Sequence, residues 1–277
     1  MGRTLMEVEA KMTTVGSGDY TYTLIENWAK LPAGETWGNT SAVATDSQDR
    51  VYVFQRKDPP VMIFDRDGNF LNSWGISAIT DPHGIFIEDD IIYLTDRADS
   101  VALKFTLDGK ALQVIGRRGV HSNTECEIAG ELVPQASGPF NYPTELVPAP
   151  SGDLYVSDGY RNARVHRFSP NGRLLASWGE PGKEGPNQFH LPHSILVDPG
   201  GLVYVCDREN NRIQGFYGRG PVHHYVDRPT PPPGHLVGRR WHLAHQRRRR
   251  GRNVSPGQPD DQTRSVGGPV GLHGGPR

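Results

Sequence analysis

The stretch HSILVDPGGLVYVCDRENNRIQGF, from His193 to Phe216, holds three short runs of β-branched and aromatic residues separated by turn residues. Runs of this kind, bounded by Gly, Pro, Asn and Asp, predict β-strands rather than helices. Similar stretches begin at Ser41, His83 and Thr144. The chain is therefore built on an internal repeat, and the repeat decides the architecture before any other feature does.

The copies of the repeat share one order of strands and turns. The first three are SAVATDSQDRVYVFQRKDPPVMIFDRDGNFLNSWG (41–75), HGIFIEDDIIYLTDRADSVALKFTLDGKALQVIG (83–116) and TELVPAPSGDLYVSDGYRNARVHRFSPNGRLLASWG (144–179). An Asp-Gly or Asn-Gly pair precedes the last strand of each, as in tight hairpins. Four antiparallel strands in a unit of about 40 residues predict a β-propeller blade. A solenoid is the weaker alternative, because it would use one strand per turn.

The copies resemble the NHL-type repeat, which implies an all-β propeller of about six blades, of which about four are recognisable here. We therefore divide the chain into an N-terminal segment, residues 1–36, the blades, residues 37–216, and a tail, residues 217–277. The run YTYTLIENW, from Tyr20 to Trp28, is a candidate for a strand that closes the ring against the last blade.

The tail differs in composition from everything before it. From Phe216 onward there are 11 arginines, no lysine and three aspartates, a net charge of +8, so the rest of the chain carries −9. This composition predicts disorder rather than strands. One interpretation is an arginine-rich segment that binds nucleic acid. We favour a tail translated out of frame, because one permitted codon choice for residues 221–243, shifted by one base, gives a peptide that resembles the repeat.

Two other features concern the cell compartment. Cys126 and Cys206 lie far apart, so neither a disulfide framework nor a CxxC zinc motif is indicated. The N-terminus lacks the apolar core of a signal peptide, and no run of about 18 apolar residues occurs that could span a membrane. These features predict a cytoplasmic protein with no membrane partner.

The repeat also suggests where chemistry takes place. In a propeller the first strand of each blade lines the central channel, and His83 and His193 stand at the start of that strand in two copies. Two imidazoles that converge on the axis suit a divalent metal such as zinc. The alternative is that each ring only caps a neighbouring loop. Because Thr144 shows that a blade folds without histidine at this place, we favour the metal.

The runs YPTELV, DGYRNARV, QFHLPHSILV and VCDRENNRIQGF make the segment from Tyr142 to Phe216 similar to the catalytic core of the peptidyl-α-hydroxyglycine α-amidating lyases. The similarity extends over about two-thirds of the chain, from Ser41 to Phe216. It implies a metal-assisted enzyme that cleaves the C–N bond of a small, carboxylate-bearing carbinolamide in the axial channel. The products would be an amide and glyoxylate.

The resemblance implies roles for particular residues. His83 and His193 match two of three zinc-binding histidines, and Tyr160 matches the catalytic tyrosine. Arg56 and Arg208 match two active-site arginines, which would hold the substrate carboxylate. Zinc would polarise the substrate hydroxyl, and Tyr160, as the tyrosinate favoured by the neighbouring cations, would remove its proton.

Val43 and Ile85 match positions whose backbone carbonyls hold a structural calcium in the family. The Pro-His-Asp run that carries the third zinc histidine does not occur in this chain, and Arg161 stands where the family has a disulfide cysteine. Two functions therefore stay open. One is a metal-dependent lyase with a small-molecule or peptide substrate, and the other is a non-catalytic propeller that binds a protein or small ligand.

Overall fold

The structure is a computed structural model that describes residues 13–217 and the backbone of residues 220–227. All the regular elements in this part of the chain are β-strands, so it contains no helix long and apolar enough to cross a membrane.

Most strands belong to four sheets of four strands each, which we call blades 1 to 4. Blade 1 consists of β3 (Thr40–Thr45), β4 (Val51–Gln55), β5 (Val61–Phe64) and β6 (Phe70–Trp74). Blade 2 consists of β7 (Pro82–Glu88), β8 (Ile91–Asp96), β9 (Val101–Thr106) and β10 (Ala111–Gly116). Blade 3 consists of β11 (Pro143–Pro148), β12 (Leu154–Asp158), β13 (Arg164–Phe168) and β14 (Leu174–Trp178). Blade 4 consists of β17 (Pro192–Val197), β18 (Leu202–Asp207), β19 (Arg212–Tyr217) and β20 (Gly220–Asp227).

The remaining strands form two small pairs outside the blades. An antiparallel hairpin joins β1 (Thr14–Ser17) and β2 (Tyr20–Thr23), and a parallel pair joins β15 (Glu180–Pro181) and β16 (Gln188–Phe189).

Each blade is an antiparallel meander in which strands that follow one another in sequence pair side by side. The first strands of the blades contact one another in succession, β3 with β7, β7 with β11 and β11 with β17. Sheets that radiate from neighbouring first strands are the arrangement of a β-propeller. The all-β propeller expected from the repeat is therefore confirmed, with four blades in the part of the chain that the structure describes.

The core lies between the blades. The fourth strand of one blade packs its tryptophan on the third strand of the next, with ring centroids 5.1 Å apart for Trp74 and Phe105 and 5.6 Å apart for Trp178 and Phe216. This explains why the repeat ends in Trp-Gly in copies one and three. The burial of these large rings drives the docking of neighbouring blades.

The hairpin turns before the fourth strands also follow the sequence. Gly68, Gly109 and Gly172 have φ angles of +79°, +86° and +84°, which residues with a side chain adopt only under strain. Gly109 has a second requirement, because a Cβ there would lie 2.6 Å from Cδ2 of Trp74. The Asp-Gly turn of blade 2 therefore also lets blade 1 pack closely against it.

The N-terminal segment does not take the place expected for it. Tyr20–Thr23 pairs with Thr14–Ser17, so the YTYTLIENW run forms a local hairpin rather than a strand against blade 4. A turn at residues 18–19 keeps the connection very short, and such local pairing costs little chain entropy. Trp28 then packs on Phe64 of blade 1, with ring centroids 6.0 Å apart.

The tail also departs from expectation at its start. The backbone of residues 220–227 pairs antiparallel with β19 and completes blade 4, so the expectation that no strand would follow Phe216 is wrong there. An open sheet edge offers N–H and C=O groups to any extended chain, whatever its composition. The arginine-rich run at 247–250 lies outside the described residues, so the preference for an out-of-frame tail over a tail that binds nucleic acid stays a prediction.

Candidate functional site

Each first strand begins with a bulge in its pairing, which leaves one residue without a partner on the second strand in blades 1, 3 and 4 and two residues, His83 and Gly84, in blade 2. In blade 3, for example, Pro143 pairs with Asp158 and Glu145 with Ser157, so Thr144 is left over. The same place is taken in the other blades by Ser41, His83 and His193. A bulge re-aims a side chain out of the regular alternation. The two histidines named by the sequence are therefore placed by one repeated backbone feature.

The loop before each bulge is held by the last residue of the second strand, which is buried in every blade. Its side chain accepts a hydrogen bond from the backbone N–H three residues before the bulge. The donor–acceptor pairs are Gly38–Gln55, Thr80–Asp96, Asn141–Asp158 and His190–Asp207. We call this residue the brace. The aspartates that end the VSD and VCD runs, Asp158 and Asp207, therefore brace the loops of blades 3 and 4.

A second repeated bond fixes the residue that follows the brace. The backbone N–H of Arg56, Arg97 and Arg208 donates to the carbonyl two residues before the bulge, at 2.9, 2.9 and 3.1 Å. In blade 3 Tyr160 makes this bond, at 3.3 Å, so a tyrosine stands where the other blades have arginine. Gly159 is the extra residue before it, and a Cβ on Gly159 would lie 2.3 Å from the carbonyl oxygen of Pro192.

The hydroxyl of Tyr160 is the point where the predicted site residues meet. Its Oη lies 3.3 Å from Nε2 of His83, 3.2 Å from Nε2 of His193 and 3.3 Å from Nη1 of Arg208. The two imidazole rings are 4.8 Å apart, nearly perpendicular. Four of the residues that the sequence named, from blades 2, 3 and 4, therefore converge on one oxygen.

The backbone of Thr144 determines which nitrogen of His83 faces the site. Nδ1 of His83 lies 2.7 Å from the carbonyl oxygen of Thr144, which can only accept. Nδ1 therefore carries the proton, and Nε2 keeps its lone pair. Burial lowers the pKa of His83 to about 4. Burial, together with repulsion from Arg208 and from His83 when that ring is protonated, holds the pKa of His193 well below its usual range. Both rings are neutral at physiological pH.

Arginine side chains surround the tyrosine. The guanidinium of Arg97 lies over the Tyr160 ring at 4.6 Å, and that of Arg208 at 5.4 Å. Asp81 accepts from Nε of Arg56 at 3.0 Å and from Nε of Arg97 at 2.7 Å. Arg56 thus lies beside Arg97. Sequence reasoning missed Arg97. The feature that could have identified it is its position directly after the brace, which Arg56 and Arg208 share.

The donor set fits a metal ion of the zinc type chemically, with fewer histidines than the family implies. Nε2 of His83 and Nε2 of His193 both face one phenol oxygen. The Nδ1 bond of His83 to a carbonyl is the usual support of a ligating histidine. No group of three or more His, Cys, Asp or Glu side chains suited to a metal occurs in the described residues. Tyr160 and the substrate would have to supply the remaining ligands of the metal ion.

The residues expected at a calcium site lie on neighbouring first strands. Val43 of β3 and Ile85 of β7 come two residues after Ser41 and His83, the residues at the bulges of blades 1 and 2. They therefore occupy equivalent positions in adjacent blades, as the resemblance requires. Calcium binding by their carbonyl oxygens stays a prediction.

Comparison with known proteins supports the repeat assignment. The NHL repeat family model matches residues 189–216. NHL repeat-containing protein 3 of Homo sapiens is 35% identical over 208 residues, which cover 70% of this chain and 56% of that protein. A probable peptidyl-α-hydroxyglycine α-amidating lyase of Caenorhabditis elegans is 31% identical over 159 residues, covering 56% of this chain and 42% of that one.

Among solved structures, a catalytically inactive virginiamycin B lyase of Staphylococcus aureus with quinupristin aligns with a TM-score of 0.52 and 15% identity, covering 73% of this chain and 59% of that one. This likeness concerns the fold alone. The chain spans about half the length of the human and mouse NHL repeat-containing proteins 3. With its bladed sheets, the chain is a β-propeller that carries an NHL repeat at residues 189–216, and its homologues include NHL repeat-containing protein 3 and the amidating lyases.

Proposed function

We propose that this protein is a metal-assisted lyase that cleaves the C–N bond of a small, carboxylate-bearing carbinolamide and releases an amide and glyoxylate. The observation that carries the proposal is the convergence of His83, His193 and Arg208 on the hydroxyl of Tyr160. The similarity to amidating lyases supports the reaction class.

Tyr160 is the group that exchanges a proton with the substrate. Its oxygen has both a donor, Nη1 of Arg208, and an acceptor, Nε2 of His83, within 3.3 Å. Arg208 stabilises negative charge on that oxygen, since charge-assisted hydrogen bonds favour the anion. When the base takes the hydroxyl proton of the carbinolamide, a C=O bond forms, the C–N bond breaks and a proton ends on the amide nitrogen.

His83 and His193 would hold the metal, and zinc bound there would act as a Lewis acid towards the substrate hydroxyl. The neutral state of both rings suits this role, because a protonated imidazole cannot ligate. Arg56, held by Asp81, would bind the carboxylate. We further propose that the carbonyls of Val43 and Ile85 hold a structural calcium ion where their strands adjoin.

The test is glyoxylate release from N-benzoyl-α-hydroxyglycine by zinc-loaded protein, with metal content measured on the same sample. We expect turnover that a chelator abolishes and added zinc restores. A protein that binds no metal and releases no glyoxylate would contradict the proposal. It would favour the alternative of a non-catalytic scaffold that binds a protein or small ligand.

A further inference from the structure

The position after the brace carries three arginines and one tyrosine in the four blades. Arg56, Arg97 and Arg208 occupy it in blades 1, 2 and 4, and each makes the same backbone hydrogen bond. The resemblance gave a role to Arg56 and Arg208 only. Arg97 is placed by the same rule and lies against the ring of Tyr160. It therefore faces the same site.

One carboxylate orients two of these guanidinium groups. Nε of Arg56 donates to Oδ1 of Asp81 and Nε of Arg97 donates to Oδ2, so the two side chains lie side by side. Among the described residues, every side-chain hydrogen bond of this pair starts at Nε, and the remaining bond goes from Arg56 to the carbonyl of Pro82. Both Nη edges remain available to a ligand.

The charges of the site are not balanced. Asp81 supplies one negative charge for two guanidinium groups, and Arg208 pairs with Glu209, a side chain 40% exposed to solvent. Arg56 and Arg97 are 32% and 21% exposed, so solvent screens them only in part. A net positive charge beside neutral imidazoles attracts an anion, and a guanidinium fork matches the geometry of a carboxylate.

Arg208 is engaged differently from the other two. Its Nη1 donates to the hydroxyl of Tyr160, and its Nε donates to Glu209. The arginine that contacts the proposed base is therefore distinct from the pair that Asp81 holds.

We propose that Arg56 and Arg97 together form the carboxylate-binding pair of this site, that Asp81 is their positioning residue, and that Arg208 serves Tyr160 instead. This inference rests on the proposed function for the identity of the ligand, a carboxylate next to the scissile C–N bond. It adds Arg97 as a specificity residue and separates substrate binding from support of the base.

The experiment measures binding by calorimetry of two inert probes, hippurate and its neutral amide, hippuramide, to the full-length zinc-loaded protein. The ratio of the two affinities reports charge recognition and is insensitive to a general loss of folded protein. We expect the wild-type protein to favour hippurate. Arg97→Gln should lower this ratio about tenfold, the usual effect of losing one charge-assisted hydrogen bond.

Three further variants sharpen the assignment. Arg97→Lys keeps the charge but loses the fork, so the ratio should fall by a smaller factor. Asp81→Asn should lower the ratio because both guanidinium groups lose their orientation. Arg208→Gln should lower turnover and leave the ratio within about twofold of wild type. Arg117→Gln, an exposed arginine after β10, is the matched control and should change neither quantity.

The outcomes separate this inference from the proposed function. A wild-type protein that does not favour hippurate, or an Arg97→Gln protein with an unchanged ratio, overturns the arginine pair even if glyoxylate is released. A lowered ratio in Arg97→Gln without any turnover in the wild type supports the anion-binding pair and contradicts the lyase. Unfolding midpoints of all variants show whether Arg97→Gln is folded, and Arg97→Lys decides if it is not.

Discussion

Blades 3 and 4 use the same backbone for different side chains. Both have a bulge at the start of the first strand, a buried aspartate brace, and a backbone bond from the residue after it. Blade 4 places His193 and Arg208 on this frame, and blade 3 places Thr144 and Tyr160 there. Because Thr144 is buried and hydrogen-bonded as well as any residue of the frame, folding does not require histidine at the bulge. The side chains at these positions are therefore determined by the needs of the site and not by the needs of folding.

The largest effect is expected when the site side chains of blades 2 and 4 are removed together. The double variant His83→Ala, His193→Ala should bind almost no zinc and release glyoxylate at least about a hundredfold more slowly than wild type, because both ligating nitrogens are gone. Metal analysis and the glyoxylate assay check this. A variant that keeps its zinc would show that the metal is held elsewhere.

Removal of a brace should lower the stability of the fold, in contrast to removal of the two histidines, which should lower zinc binding and turnover. Asp158→Ala removes the acceptor of the Asn141 N–H, of Nδ2 of Asn162 and of Nε2 of His166, all in the interior of blade 3. Leaving these buried groups unpaired should cost about 3 kcal/mol in the free energy of unfolding. Asp108→Ala, at an exposed turn, is the control and should cost less than about 1 kcal/mol. Equal denaturant midpoints for Asp158→Ala and Asp108→Ala would contradict the stabilising role of the brace.

The buried histidine of blade 2 gives the metal-free protein a dependence on pH. The pKa of His83 is lowered to about 4 in the folded chain, whereas the unfolded chain titrates near 6.5. Between these values His83 binds more protons in the unfolded state, so its contribution to the free energy of unfolding should fall by about 2 kcal/mol as the pH drops from 6.5 towards 4. Glu145, whose pKa burial raises to about 7, and His193 titrate as well, so this contribution is the difference between the profiles of wild type and His83→Ala. Urea unfolding with a chelator measures this. His83→Ala should flatten that part of the profile, and an unchanged slope would argue that His83 is not buried.

Blade 3 should tolerate a change at its bulge better than its neighbours. Thr144→Val removes Oγ1, which contacts the carbonyl of Pro192 at 2.9 Å, and should cost about 1 kcal/mol. The carbonyl of Thr144 still accepts from His83, so zinc affinity should stay within about twofold of wild type. A large loss of zinc would show that the hydroxyl, not the backbone, supports the metal site.

The sequence predicted the blades because they are locally encoded. Asp-Gly or Asn-Gly turns and short apolar strands recur in the first three copies, and copies one and three end in Trp-Gly. In the packing of Trp74 on Phe105, the ring, the apolar strand and the glycine of the Asp-Gly turn each have a physical role. The convergence of His83, His193, Tyr160 and Arg208 followed from the resemblance together with the repeat. The backbone bond that makes Tyr160 equivalent to the arginines could not be read from spacing, because Gly159 shifts blade 3 by one residue.

Other features depended on pairings that composition does not reveal. Residues 220–227, GPVHHYVD, complete blade 4 through backbone hydrogen bonds to an open edge, although the tail as a whole is rich in arginine and proline. The YTYTLIENW run has strand composition, but its nearest partner was the strand just before it. Arg97 was missed because its role depends on Asp81, which belongs to a loop before the bulge.

The most direct test of the account is the rate of glyoxylate release from N-benzoyl-α-hydroxyglycine by Tyr160→Phe. This change removes the one oxygen on which His83, His193 and Arg208 converge and keeps the ring that the guanidinium of Arg97 covers. Tyr204→Phe, which loses a hydroxyl bonded to Asp198 in blade 4, is the matched control. We expect Tyr160→Phe to be slower by about a hundredfold to ten-thousandfold with its zinc retained. A rate within about twofold of the control would contradict the central claim that Tyr160 is the catalytic base of this site.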